Sequence, residues 1–185
     1  PDSIANGAQT SVRMPFQLLV VPRHPQRFAE VAQLFVDAGY SVSRRSQWGE
    51  APDTADVWVG DSLGEMALYF GMAHVALLGG SFAPLGGQNL IEAAACGVPV
   101  FMGPHLFNFT EASTLAAEAG AAQRCEDIAH AVTEAAETAG DAARLHDMQD
   151  AALGLGAAHR GAALKTATEV AAVVRRGAIT APAGC

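Results

Sequence analysis

The residues able to do chemistry fall in four short segments. The first, Pro22-Arg23-His24-Pro25, sets a guanidinium in a loop that prolines hold extended. A planar fork in that position suits a phosphate or a carboxylate. The third, residues 79–89, carries Gly79, Gly80, Gly86 and Gly87 with Ser81, Gln88 and Asn89 ahead of a helical pattern. Free N–H groups of a glycine loop and of the helix start converge there on a candidate anion site. The glycines serve equally as turn positions of positive φ. Neither GxGxxG nor a Walker lysine is present, which sets aside the dinucleotide fingerprint and the P-loop.

Two segments carry carboxylates. Asn89-Leu90-Ile91-Glu92 has the form of a capping box, with Asn89 as N-cap. It also offers Glu92 as an acceptor for the two hydroxyls of a ribose, and the pattern leaves both roles open. The second segment, Gly60-Asp61-Ser62-Leu63-Gly64-Glu65, repeats the capping form and places two acids close together. Such a pair fits metal or acid–base work, or simply the favourable charge of a first helical turn. The fourth segment is Gly103-Pro104-His105-Leu106-Phe107-Asn108-Phe109. Of six histidines, His24 and His105 are the loop candidates. No histidine or cysteine spacing indicates a metal ligand set, and no GxSxG elbow or Cys/His pair indicates covalent catalysis.

What must position these loops is a series of short apolar runs alternating with helical patterns. Strands are predicted over 16–21, 40–43, 57–60, 74–78, 98–102 and 121–124. Helices are predicted from Phe28 to a stop at Gly39, then over 63–72, 89–96, 112–119, 127–138, 141–155 and 162–174. Strands alternating with helices imply a Rossmann-like, doubly wound parallel sheet. Ligands of such sheets bind outside the carboxyl ends of strands, where all four segments fall. Residues 1–14 read as a linker or mobile arm, 15–160 as the domain, and 161–185 as a C-terminal helix and tail.

The 185 residues carry 11 Lys and Arg against 19 Asp and Glu, a formal charge of −8. That balance argues against nucleic acid as a partner. No apolar run approaches the roughly 20 residues of a membrane span, so the chain reads as soluble. Cys96, Cys125 and Cys185 are odd in number and unevenly spaced, as reduced cytosolic thiols are. The chain begins at Pro1 without a signal-peptide pattern and reads as a fragment or processed piece.

Taken together, the four segments closely resemble the 3-deoxy-D-manno-octulosonic acid (Kdo) transferases of lipopolysaccharide synthesis, in order and spacing over about residues 16–125. The resemblance implies one half of a GT-B glycosyltransferase, the C-terminal half that holds the CMP-Kdo donor, with no cofactor and no metal. It implies that Pro22 and Arg23, then Leu63, Gly64 and Glu65, then Asn89, Leu90, Ile91 and Glu92 contact the CMP part. Gly80, Ser81, Gly86, Gly87 and Gln88 are further candidates, as donors to the departing phosphate. The family's catalytic base, a Glu, its lipid A precursor site and its membrane-association surface belong to the N-terminal half, which this chain lacks. By the same resemblance the complete protein works at the cytoplasmic face of the inner membrane. Many members have Gly-Gly-His-Asn-Pro-Leu-Glu-Pro where this chain has Gly86-Gly87-Gln88-Asn89-Leu90-Ile91-Glu92-Ala93. Gln88 can replace a donor but not a proton carrier.

Two other readings compete. One is a different GT-B transferase or epimerase half using a UDP donor, whose second phosphate calls for more cationic donors than the Arg23 loop supplies. The other is a non-catalytic, flavodoxin-like binding module with no nucleotide affinity.

Overall fold

A computed structural model describes residues 16–159, 168–173 and 175. The expected arm at 1–14 and most of the expected tail lie outside the described residues; residues 168–173 are helical, within the predicted 162–174 helix. The chain divides into two compact units, which meet in sequence at Tyr69 and Phe70.

In the first unit, β1 (Leu18–Val20) is followed by a 3-10 turn (Pro25–Arg27) and helix α1 (Phe28–Asp37). Then come β2 (Val42–Arg44), a second 3-10 turn (Arg45–Gln47) and β3 (Val57–Val59). All pairings are parallel, in the order β1-β3-β2, with Val57 and Val59 of the middle strand fully buried. Helix α1 packs on β2 and β3 and ends where Gly39 allows it to. At φ +88 Gly39 donates to Val36 O, and Tyr40 N–H reaches back to Phe35 O at 3.0 Å. The Phe35 and Tyr40 rings meet edge-on beside that pair of bonds, completing a Schellman stop.

Helix α2 (Met66–Gly71) carries the chain into the second unit. There β4 (Ala76–Leu78), α3 (Ile91–Ala95), β5 (Val100–Met102), α4 (Thr110–Glu118), β6 (Ala122–Arg124), α5 (Ile128–Gly140) and α6 (Ala142–His159) follow one another. The sheet is again parallel, in the order β4-β5-β6. Its middle strand shows why the sequence there is uninterruptedly apolar. Val100 and Met102 join a core with Leu90, Ala93, Ala116 and Leu155, while Phe101 points into another with Cys125, Ala131 and Ala135. A strand buried on both faces has no polar side to alternate with. Helix α6 lies against α3 so closely that a Cβ on Gly156 would sit 2.7 Å from Ala95 Cα.

The expected strands and helices are therefore present among the described residues, most of them shorter than or shifted by one to three residues from the predicted runs, while α6 extends four residues beyond its predicted end. The two 3-10 turns are additions that apolar periodicity does not announce.

Candidate functional site

Parallel pairing puts the ends of β1, β2 and β3 on one edge of the first sheet. Pro22 and Arg23 leave β1 there. Arg23 is exposed and has no ion pair or hydrogen bond among the described residues. His24 is exposed too, its carbonyl accepting from Arg27 N–H at 2.9 Å.

The acids after β3 behave differently from a free pair. Asp61 is buried and accepts from Ser46 N–H at 2.7 Å, from Ser46 Oγ at 2.6 Å and from Arg44 Nε at 2.8 Å. Burial alone would raise its pKa, but the Ser46 bonds and the Arg44 charge outweigh it and hold the carboxyl below the ordinary aspartate range. Asp61 thus clamps the end of β2 to the end of β3. It precedes α2 by five positions, so the first-turn dipole does not account for it, and its filled acceptors leave no catalytic pair with Glu65.

Glu65 accepts from Ser62 Oγ and, at 2.8 Å, from Arg45 Nη2, and both hold its pKa down. Buried Tyr69 hydrogen-bonds Ser62 from the other side. Arg45 in turn lies over the Trp48 ring, 5.6 Å from its centroid. A carboxylate held on so many sides has a fixed direction. Beside it Leu63 stands 70% exposed and Gly64 takes φ +78, a turn tip that presents an apolar side chain and bare backbone.

In the second unit the loops after β4 and β5 are stitched together. Ser81 is fully buried; its hydroxyl donates to Leu78 O at 2.6 Å and accepts from Gly103 N–H at 2.8 Å. Its carbonyl accepts from His105 N–H at 2.9 Å. This corrects the expectation from sequence: with its one proton committed inside, Ser81 ties the two loops and does not serve as an anion donor. Gly87 N–H is likewise committed, to Gly80 O at 3.2 Å. Gly86 and Gly87, at φ +87 and +77, are the positions where side chains have no room. A Cβ on Gly86 would lie 2.7 Å from the Phe107 ring, and one on Gly87 2.8 Å from Leu106. Gly80, also at positive φ, is half-buried, as is Gln88, which has no hydrogen-bond partner among the described residues.

The capping box at 89–92 is replaced by a different arrangement. Asn89 Oδ1 accepts from Ile91 N–H at 3.1 Å, and Asn89 Nδ2 donates to Glu92 Oε1 at 3.0 Å. Leu90 is the N-cap residue, and Glu92 reaches the Asn89 side chain instead of its main-chain N–H. The helix that follows has five residues, so a long aligned dipole is not available at this loop. Leu90 is 1% exposed and part of the core, so only its main chain is open to a ligand; Ile91 packs against that core, and Asn89 and Glu92 stay exposed.

Sequence reasoning passed over Arg124. It closes β6 at the carboxyl edge and lines an open pocket of about 260 Å³ beside the loop after β5, with His105, Leu106, Phe107, Thr110 and Ser113. The available signal was its place as the last residue of a parallel strand. Cys96 is an exposed thiol and Cys125 a buried one, whose pKa burial and the charges of Glu134 and Asp127 push up; Cys185 lies outside the described residues.

Parallel sheets with helices on their faces and glycine-bearing loops at their carboxyl edges define a Rossmann-like α/β protein. The chain is a relative of the 3-deoxy-D-manno-octulosonic acid transferases. It is 49% identical over 150 residues to that enzyme of Bordetella pertussis, a match covering 80% of this chain and 35% of the relative. It is 38% identical over 120 residues to the one of Haemophilus influenzae, covering 65% of this chain and 28% of the relative. The chain thus spans about a third of the length of the curated relatives it matches. Among solved structures it resembles the C-terminal CMP-Kdo binding domain of WaaA from Acinetobacter baumannii. The TM-score is 0.69 with 28% identity, covering 74% of this chain and 72% of that one. No family model matches the chain.

Proposed function

We propose that residues 15–160 are the donor-binding domain of a glycosyltransferase that moves Kdo from CMP-Kdo onto a lipid A precursor. The observation that carries this is the likeness, in both sequence and fold, to a domain described as binding CMP-Kdo. In these loops Arg23, Leu63, Asn89 and Glu92 are exposed, while Asp61, Ser81 and Leu90 are buried and hold the loops in place.

In this reading the domain is one half of a GT-B enzyme. Arg23, exposed and unpaired, meets an anionic group of the donor. Held Glu65 and exposed Glu92 accept from the nucleoside, beside Pro22, Leu63, Gly64, Asn89 and the main chain of Leu90 and Ile91. Gln88 and the N–H groups of Gly80 and Gly86 face the departing phosphate. Inversion proceeds by direct displacement: a base outside this chain takes the acceptor hydroxyl proton, and the C–O bond to CMP breaks as the new one forms. The domain orients the donor and stabilises the charge that develops on CMP. The complete protein acts at the cytoplasmic face of the inner membrane, with the lipid acceptor held by its other half.

The test is titration of the 185-residue chain with CMP and UDP, together with a transfer assay. CMP should bind, more tightly than UDP, and the chain alone should transfer no sugar. A preference for UDP would favour the UDP-donor rival, absence of any nucleotide response the non-catalytic module, and turnover by this chain would end the two-half account.

A further inference from the structure

We propose that the open pocket beside the loop after β5 is the subsite for the sugar-acid part of the donor, with its carboxylate paired to Arg124. The inference deepens the donor-domain reading and rests on it for the identity of the sugar.

The first observation is an uncompensated cation. Arg27, Arg44, Arg45 and Arg144 each pair with a carboxylate, at 2.9, 2.7, 2.8 and 2.6 Å. In a chain of formal charge −8, acids to pair with are plentiful. Arg124 nonetheless has no carboxylate among the described residues. Its Nη2 donates to the hydroxyls of Ser113 at 3.1 Å and Thr114 at 3.3 Å. These neutral acceptors fix the guanidinium without cancelling its charge, and its other N–H groups have no acceptor among the described residues. A planar fork in that state is preorganised for a second, anionic partner.

The second observation is the wall chemistry. The pocket is far larger than one phosphate needs and lies just below the usual small-molecule range of about 300–1,000 Å³. The Phe107 ring and Leu106 give it an apolar side, while His105, Thr110 and Arg124 give it polar groups. Apolar and hydroxyl-matching surface around one cation suits a polyhydroxylated acid better than an inorganic anion. The loop that lines it is tied at Gly103 and His105 by their N–H bonds to Ser81, which fixes the main chain on that side.

The experiment is an NMR titration of the 185-residue chain with free 3-deoxy-D-manno-octulosonate, with CMP and with inorganic phosphate, each separately at millimolar concentration. The sugar acid should shift the His105 and Phe107 ring signals, and Arg124→Ala should weaken it about 10- to 100-fold, as loss of a charge-assisted contact does. CMP affinity should change less than about two-fold on that scale. Should Arg124→Ala fold poorly, Arg124→Gln keeps an amide donor for Ser113 and Thr114 and should lose the sugar acid while keeping the wild-type melting temperature. Unshifted His105 and Phe107 signals, or wild-type affinity in both variants, would overturn the proposal. So would phosphate shifting the same signals as strongly as the sugar acid. Sugar-acid binding through Arg124 with no CMP response would leave the subsite standing and remove the nucleotide-donor reading instead.

Discussion

At the scale of single residues, two side chains separate a nucleotide site from a merely stable fold. Arg23 has no partner among the described residues, so Arg23→Ala should leave the melting temperature unchanged. It should lower CMP affinity about 10- to 100-fold, with Arg23→Lys failing to restore it, because a point charge lacks the fork. Unchanged affinity by calorimetry would make Arg23 a surface charge. Glu92 accepts from Asn89, and a glutamine there still offers a carbonyl to that amide. Glu92→Gln should therefore fold normally yet narrow the preference for CMP over 2′-deoxy-CMP. Equal binding of the two nucleotides by the parent chain would reduce Glu92 to the Asn89 contact alone. Ser81→Ala should do the reverse, costing about 1–3 kcal/mol in urea unfolding by stranding the buried Gly103 N–H.

The same residues mark how far a sequence can be read. Gly39 was legible because a helix stop depends on neighbours within five positions. Asp61 was not: its partners Ser46 and Arg44 lie 15 and 17 positions away, so the local capping form misdescribed it. Ser81 and Leu90 sit in a segment of loop-forming composition, and only packing shows that one is sealed under the chain and the other in the core. Arg124 ends a strand with no motif around it; what distinguishes it is that its guanidinium rests on the hydroxyls of Ser113 and Thr114 with no acid beside it among the described residues, which spacing along the chain cannot encode.

At the scale of elements, the loops depend on conformations and charges that can be altered one at a time. Gly86→Ala forces a side chain into φ +87 against Phe107 and Asn108. It should cost about 1–3 kcal/mol and raise hydrogen exchange at Gly103 and His105, since the two loops can no longer close on each other. Asp61 and Glu65 both have folded pKa values below their ordinary 3.8 and 4.5. A depressed carboxyl pKa contributes stability that is complete above the unfolded value and disappears as pH falls through the folded one. The first unit should thus hold full stability above about pH 5 and loosen below about pH 4. Asp61→Asn should flatten that acid limb when Trp48 and Trp58 fluorescence is followed against pH.

At the scale of the whole molecule, the series of strands and helices was legible across the described residues because each strand is either a continuous apolar run or a short alternating one. The division into two units was not, because nothing in the composition changes at Tyr69 and Phe70. The functional reading also depends on scale. A chain that spans a third of its relatives' length is tested for the donor part of the proposed function by nucleotide binding alone.

The tight seam between Gly156 and Ala95 bears on where such a domain may be cut. Helix α6 is remote in sequence from every candidate ligand contact, and a trimming strategy guided by motifs would discard it. Yet it supplies Ala152 and Leu155 to the core that Leu90 and Ala93 enter, immediately beside Asn89 and Glu92. A chain shortened after Gly140 would leave α3, only five residues long, packed on Val100, Met102 and Ala116 alone, with its outer face stripped. Its amides should exchange faster than in the full chain, and the glycine loop should become a point of protease attack.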